Sequence, residues 1–368
     1  GYLGTQVTGP RYKASVQGLD LHYGLGSGLF GVDMQLVQSD RAGETGRGGI
    51  LDVRYAASSA IQHKFEFEYF DSKVNVNDLG FLRRNNYRGG QYLLSYAYPK
   101  PGRWFQATRG TLIFRHQENL TAGQVVDQGV FWRNTLVLKG RNTIRSAIAY
   151  LPSRYEDRNS RGNGAYKTSA RIWLNALWAT DASRPLSFST SIGGLQEDLG
   201  DWTLNLTAGV TARLSDSLYF DLDLAYKRRT GWVVYQGGRE FGAFDAIDLQ
   251  PSFDLNWFLA ADHQIKFSFQ WAGVKAYERQ AYRVPSADGA LQRRAGAAGP
   301  RDFTVSLLTT QVRYRWEIAP LTDFYVVYNR GNQLPPTEAD AFGDLLSDAF
   351  QDPVVSSLVV KLRYRFGG

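Results

Sequence analysis

Apolar and polar side chains alternate with a period of two along almost the whole chain, which confines the fold to β-structure with one greasy and one polar face. From Trp202 to Leu214, the residues Trp202, Leu204, Leu206, Ala208, Val210, Ala212 and Leu214 alternate with Thr203, Asn205, Thr207, Gly209, Thr211 and Arg213. Successive side chains of a strand point to opposite faces, so this is one long strand. After a tight turn at 215–217, Leu218, Phe220, Leu222, Leu224 and Tyr226 alternate with Asp221, Asp223 and Lys227. The runs around Phe65, Phe253 and Phe267 repeat the pattern. Pro251 removes one ladder donor and predicts a local bulge or kink. The apolar phase slips between Leu307 and Thr310, which predicts a second.

About seventeen such strands are legible, the first near Lys13 and the last near Val354, most longer than the usual five or six residues. Short links such as 58–60, 99–102, 215–217 and 320–322 interleave with longer ones at 40–47, 71–86, 157–164, 228–242, 275–302 and 331–352. A soluble sandwich or propeller also shows one apolar face per strand, but three features favour a membrane barrel. The strands are long enough to cross a bilayer, the short-long rhythm persists, and Tyr23, Tyr98, Trp104, Tyr150, Trp178, Trp202, Trp271 and Trp316 cluster near strand ends as interfacial girdles do. No run of eighteen apolar residues offers a spanning helix, and a mean hydropathy of -0.34 suits alternating strands.

The expected fold is all-β, a transmembrane antiparallel up-and-down β-barrel of about eighteen strands. Seventeen are read within the chain, and Gly1–Thr8 reads as the end of another, so residues 1–368 are taken as a single barrel domain, N-terminally truncated. The final run Val360, Leu362, Tyr364 and Phe366 resembles the terminal strand signal by which the barrel assembly machinery recognises bacterial outer-membrane proteins. Gly367 and Gly368 follow it.

The stretch Tyr69, Phe70, Asp71, then Asn77 to Tyr87 (NDLGFLRRNNY) resembles a loop of a poorly characterised family of bacterial outer-membrane proteins. The run Val326–Asn329 and the segment Leu362–Phe366 are similar to it too. In that family a barrel follows a β-sandwich similar to family 9 carbohydrate-binding modules. The resemblance implies a bacterial outer-membrane location and a barrel, and it implies no reaction.

With the apolar face in lipid, the polar face lines a lumen. That face carries Arg54, Arg133, Arg145, Arg171 and Arg213, and toward the end of the chain Arg313, Arg315, Arg363 and Arg365. Glu66, Glu68, Asp221 and Asp223 share it. Turning such an arginine to the bilayer midplane would cost about 2–4 kcal/mol. A mutually neutralising ladder and an anion-attracting pore are both compatible with this density of charge. Arg83, Arg84, Arg88, Arg228 and Arg229 fall in or beside outer loops, either as solvated charge or as contacts to lipopolysaccharide phosphates. The segment 334–352 reads as a short helix from Thr337 with acids Glu338, Asp340, Asp344 and Asp348 and an apolar face, a surface helix, a constriction at the mouth or a docking element for a partner.

The chain has no Cys and four His, so thiolate chemistry is excluded and no Ser-His-acid set can be assembled from spacing. No enzyme activity, cofactor or metal is expected. A charge of +7 spread over many strands lacks a nucleic-acid-binding motif, so nucleic acid is not an expected partner. The expected partners are outer-membrane lipid, lipopolysaccharide, the barrel assembly machinery and other envelope proteins. The functional expectation is a porin-like passive channel for small polar or anionic solutes. The alternative is a membrane scaffold or translocation barrel of a larger assembly, with recognition carried by an upstream domain or partner chain.

Overall fold

The computed structural model describes residues 1–10, 12–77, 80–295, 301–334, 341–351 and 353–365. Asp78, Leu79, Thr337, Glu338, Asp340 and Phe366, named above, lie outside the described residues. Nineteen of the described strands belong to one antiparallel sheet, and two more form a separate hairpin.

Two compact units divide the chain. The first comprises Gly1–Val137, Arg145–Trp173 and Val284–Leu291. Its strands begin with β1 (Tyr2–Thr8), β2 (Lys13–Leu25), β3 (Phe30–Arg41), β4 (Glu44–Ala56) and β5 (Ile61–Phe70). They continue with β6 (Tyr87–Tyr98), β7 (Phe105–Asn119), β8 (Val125–Leu138), β9 (Thr143–Leu151) and the hairpin of β10 (Arg154–Glu156) and β11 (Tyr166–Thr168). The second unit comprises Leu138–Ile144, Leu174–Arg283 and Gln292–Gly368. Most of β12 (Arg171–Ala179) falls in it, with β13 (Leu186–Gln196), β14 (Trp202–Ser215), β15 (Leu218–Gly237), β16 (Glu240–Ala260) and β17 (His263–Arg283). It ends with β18 (Gln292–Arg293), β19 (Phe303–Ala319), β20 (Thr322–Leu334), α1 (Phe342–Gln351) and β21 (Val355–Arg363).

Most strand starts read from the sequence hold within a few residues, the start expected near Gly49 lying at Glu44 and the one near Ala165 dividing into β11 and β12; Gly1–Thr8 supplies β1, paired with β2 from Tyr2↔Leu19 to Thr8↔Lys13. The apolar face stays open: Phe65 is 54% exposed, Phe67 51%, Ile192 55% and Leu222 48%. A core strand in water would bury such residues, so this face is built for an apolar surrounding.

Several expected loops are strands. Residues 40–47 form a hairpin whose turn is Ala42 and Gly43, both at positive φ (55° and 85°), the geometry that matches strand twist in a two-residue turn. Most of 228–242, and 275–283 of the expected loop 275–302, continue β15, β16 and β17 to lengths of 20, 21 and 21 residues. A crossing needs only about 9–11, so these strands extend well past the spanning stretch.

Neither expected bulge is present. Pro251 pairs in register with Leu224 of β15, and the β16–β17 register is the same on either side of it, from Leu249↔Gly273 to Ser252↔Gln270. Its missing N–H leaves a gap in one ladder without shifting the chain. Around Leu307 the register with β17 is also continuous. The phase slip arises because the surroundings of each face change along the strand. On the outward face α1 covers Trp271 and Leu308, burying Leu345 and Ala349 against them. On the opposite face Phe244, Ala246 and Ala276 are buried, with Trp232 and Phe303 packed on them. Small polar residues such as Ser306 therefore sit under a helix where lipid would demand apolar ones.

The helix consequently lies on the apolar face and not in a mouth. Trp271 Nε1 donates to Ser306 Oγ at 2.9 Å, and that hydroxyl donates to the Leu345 carbonyl at 2.9 Å. Asn332 Nδ2 donates to the Ala349 carbonyl at 3.3 Å and Arg330 donates to that of Phe350, satisfying orphan groups at the helix C-terminus. Trp271, 3% exposed, is thus a docking residue rather than part of a girdle. Trp271→Ala should cost about 3–5 kcal/mol of local stability, seen as new protease cleavage within 341–351 while the strands stay folded by circular dichroism.

In the extended part of β17, Arg301 holds Glu278 with contacts of 2.5–3.2 Å. Burial raises the Glu278 carboxyl, but the Arg301 hydrogen bonds outweigh it and leave it below its ordinary value. A lowered folded pKa contributes stability above the unfolded value of about 4.3 that is lost as pH falls through the folded one. Acid titration of amide exchange around 276–303 should show opening below about pH 4, and Glu278→Gln should abolish that pH dependence.

Candidate functional site

The first unit contains an inward-folded loop, and its construction explains the motif at 71–87. The Asp71 carboxylate accepts from the N–H of Arg47 at 2.7 Å and from those of Lys73 and Val74 at 2.9 Å. Asn85 Nδ2 donates to the carbonyls of Ser72 and Val74 at 3.0 Å, and Asn77 Oδ1 accepts from the Leu82 N–H at 3.0 Å. Asp and Asn are used because short polar side chains can replace the missing ladder partners of a turning backbone. Val74, 1% exposed, then packs with Phe70 and Tyr87 against Val37, Ile50 and Leu82.

This cluster lies on the polar face. A Cβ on Gly46 would fall onto the backbone of Lys73 and Val74, and one on Gly48 would fall onto the Phe70 ring. Gly46 and Gly48 share the β4 face of Asp52 and Arg54 by alternation. The loop therefore folds over the charged wall, and only glycine lets it come so close.

A second inward element meets it. The hairpin β10–β11 buries Tyr166 at 1% exposure. The tip Val284–Leu291, part of this same unit, docks on the hairpin through Lys167 N–H to the Gly289 carbonyl at 2.8 Å and Tyr155 Oη to Asp288 at 2.6 Å. The Asp288 hydrogen bond raises the Tyr155 phenol above its ordinary range. Arg84 bridges loop and hairpin through Asp157 at 2.6 Å, and Arg158 Nη2 donates to the Asn85 carbonyl at 2.8 Å.

Between loop, hairpin and wall lies a cavity of about 640 Å³ lined by Arg83, Arg84, Arg115, Arg154 and Arg158 together with Glu66, Glu68, Asp127 and Glu156. The acids are engaged. Asp127 meets Arg115 at 3.2 Å and Arg154 at 3.6 Å. Glu68 accepts from Tyr87 Oη at 2.7 Å, Glu66 from Lys64 and Gln91, and Glu156 from the N–H of Arg158 at 3.0 Å. Arg83 has no hydrogen bond or ion pair with any described residue. The cavity thus presents a free guanidinium beside acids that already accept hydrogen bonds, which suits an anion. Among the described residues no cluster of His, Asp and Glu is suited to a metal.

Of the residues expected in the lumen, Glu66 and Glu68 reach this cavity. Arg54 pairs with Asp33, which also holds His22. Arg133 lines a separate cavity of about 320 Å³, and Arg145 and Arg171 have polar-face parity, opposite exposed Ile148 and Ile172. In the second unit Arg213 donates to the carbonyls of Ala182 and Arg184, pinning a turn. Asp221 stands opposite Asp254 with Asp223 one pleat away. Arg313, Arg315 and Arg363 line a cavity of about 360 Å³, and Arg365 is exposed beyond β21.

The expected lipopolysaccharide contacts divide. Arg88 and Arg228 have the outward parity and are exposed, Arg88 beside Glu118 at 2.9 Å. Arg83 and Arg84 line the cavity instead, and Arg229 turns inward to Asp248 at 3.1 Å and over the Trp232 ring at 4.5 Å. Neighbours such as Arg228 and Arg229 cannot share a strand face. Arg115 and Asp127 were missed, though their parity marks them. Arg154 and Arg158 sit in a hairpin with no periodic signal.

A family model described as a domain of unknown function, DUF5916, matches residues 5–366. The chain belongs to that family. No curated protein matches it. Among solved structures, the ferric enterobactin receptor in complex with BCV-L6 aligns over 98% of this DUF5916 chain and 72% of its own, with 7% identity and a TM-score of 0.51. A mutant of that receptor from Pseudomonas aeruginosa, in complex with enterobactin, aligns over the same shares at 7% identity with a TM-score of 0.50. At this identity the likeness concerns the fold of this DUF5916 chain alone.

Gly46→Val should displace the DUF5916 loop without unfolding β4. The expected readout is protease cleavage within 71–86 and loss of the Val74 burial, reported by amide exchange, with the strand signal in circular dichroism unchanged.

Proposed function

We propose that this protein is a bacterial outer-membrane barrel that passes small anionic solutes, with the loop 71–86 as its constriction. The observation that carries this reading is the inward-folded loop, which sets Arg83 free of any described acid above a wall whose acids are already engaged by Arg115, Arg154, Lys64 and the Tyr87 hydroxyl. A narrow passage then selects by the sign in excess on its lining, five arginines against four acids. The open apolar face supports insertion into lipid, and the likeness to receptor barrels supports the outer membrane. The scaffold alternative has no observation in its favour.

The test is ion conductance of the purified protein in planar bilayers under a salt gradient. The reversal potential should indicate anion preference. Arg83→Glu changes the charge by two units; at about 10 Å from the ion path in water this lowers local monovalent anion concentration roughly fourfold, and the reversal potential should move toward cations. A sealed or cation-selective wild-type protein would contradict the proposal.

A further inference from the structure

On the polar face of the second unit, Lys227 and Arg229 meet Asp248 and Arg315 meets Glu317 and Asp323, but between these pairs like charges face each other. Asp221 and Asp223 of β15 stand with Asp254 of β16, in the register Asp221↔Asp254 and Asp223↔Ser252. The next strands carry cations, with Lys266 of β17 directly opposite Arg313 of β19. Like charges directly across a strand pair are destabilising. Yet Lys266 and Arg313 have no carboxylate or hydrogen-bond partner among the described residues, although both are half-buried.

Their neighbours hold further guanidinium groups in place. Arg315 Nε donates to Asp323 at 2.7 Å and its Nη2 to Glu317 at 2.9 Å. Arg363 lies 3.8 Å from the same Asp323 carboxylate, whose side chain is 3% exposed. Asp323 therefore anchors two arginines, leaving the Lys266 and Arg313 charges uncompensated. Gln264 is buried and donates to Asn256 at 2.7 Å, which fixes the wall beside Lys266. The cavity of about 360 Å³ is bounded by Lys266, Arg313, Arg315 and Arg363 together with Glu317 and Asp323; both carboxylates are taken up by Arg315, and the space is large enough for a small oxyanion and several waters.

We propose that this cavity binds a small oxyanion, a phosphate or carboxylate group, between Lys266 and Arg313. The ammonium supplies a point charge and the guanidinium a fork that matches two oxygens. Bound anion offsets the repulsion of the facing cations, which explains how the pair is retained without an internal acid. The acidic patch on β15 and β16 repels the same ligand and confines it to the basic side. The site stands on the geometry of one unit and does not require that the barrel conduct, so it is independent of the proposed channel.

The test is titration of the full chain in detergent with inorganic phosphate and, in a separate arm, with acetate. Binding is read by calorimetry, and by phosphorus line broadening in the phosphate arm. Saturable binding is expected in at least one arm, and the arm that saturates identifies the group. Lys266→Gln and Arg313→Gln should each weaken it by about tenfold or more, as expected for loss of a charge-assisted bond worth about 1.5–3 kcal/mol. The outward-facing Arg228→Gln should bind as the wild type does. Circular dichroism establishes that each variant is folded. Should Arg313→Gln fail to fold, Arg313→Lys keeps the charge without the fork and should bind less tightly. Absence of saturable binding in both arms, or binding unchanged in the folded Lys266 variant, overturns the proposal.

Discussion

The structure rests on a rule of the extended backbone: adjacent side chains leave on opposite sides. Each strand must therefore serve two surroundings at once, and a single slip would put the arginines of β19 among the outward Val312 and Trp316. Burying or exposing residues two at a time is a severe constraint, and this chain honours it wherever lipid is the expected neighbour. Where the strands run past that zone the rule persists but the neighbours change. The outward face receives α1, and the other collects Phe244, Ala246 and Phe303.

That change of neighbour marks the limit of what was legible in the residues. Strand starts from Lys13 to the last strand, and the polar face with Arg54, Glu66 and Arg313, follow from alternation alone. The bulge expected at Leu307–Thr310 does not exist, because a hydrophobic pattern reports what covers a face and not the path of the backbone. The same limit made Trp271 look interfacial. The turn at Ala42 and Gly43 was hidden by a polar flank that reads as loop. Arg84 and Arg229 show a different blindness: their local sequence looks like solvated charge, and only Asp157 and Asp248, distant in sequence, commit them inward.

The two units treat charge differently. In the first, Asp52, Lys64 and Glu66 form a chain of contacts and Asp127 serves two arginines, so most of the wall is internally balanced. In the second, Arg229 and Arg315 find acids, while Asp221 faces Asp254 and Lys266 faces Arg313. Because unpaired charge on a wet wall is costly only by self-repulsion, its persistence is best read through what it attracts.

The hairpin β10–β11 of the first unit is completed by Val284–Leu291, so Tyr155 finds its acceptor 133 residues further along. Loop-closure entropy over so long a separation delays their meeting. Until Val284–Leu291 docks, the hairpin over the arginine cavity is still held to the loop through Arg84 to Asp157 and Arg158 to Asn85, but Tyr155 lacks its acceptor.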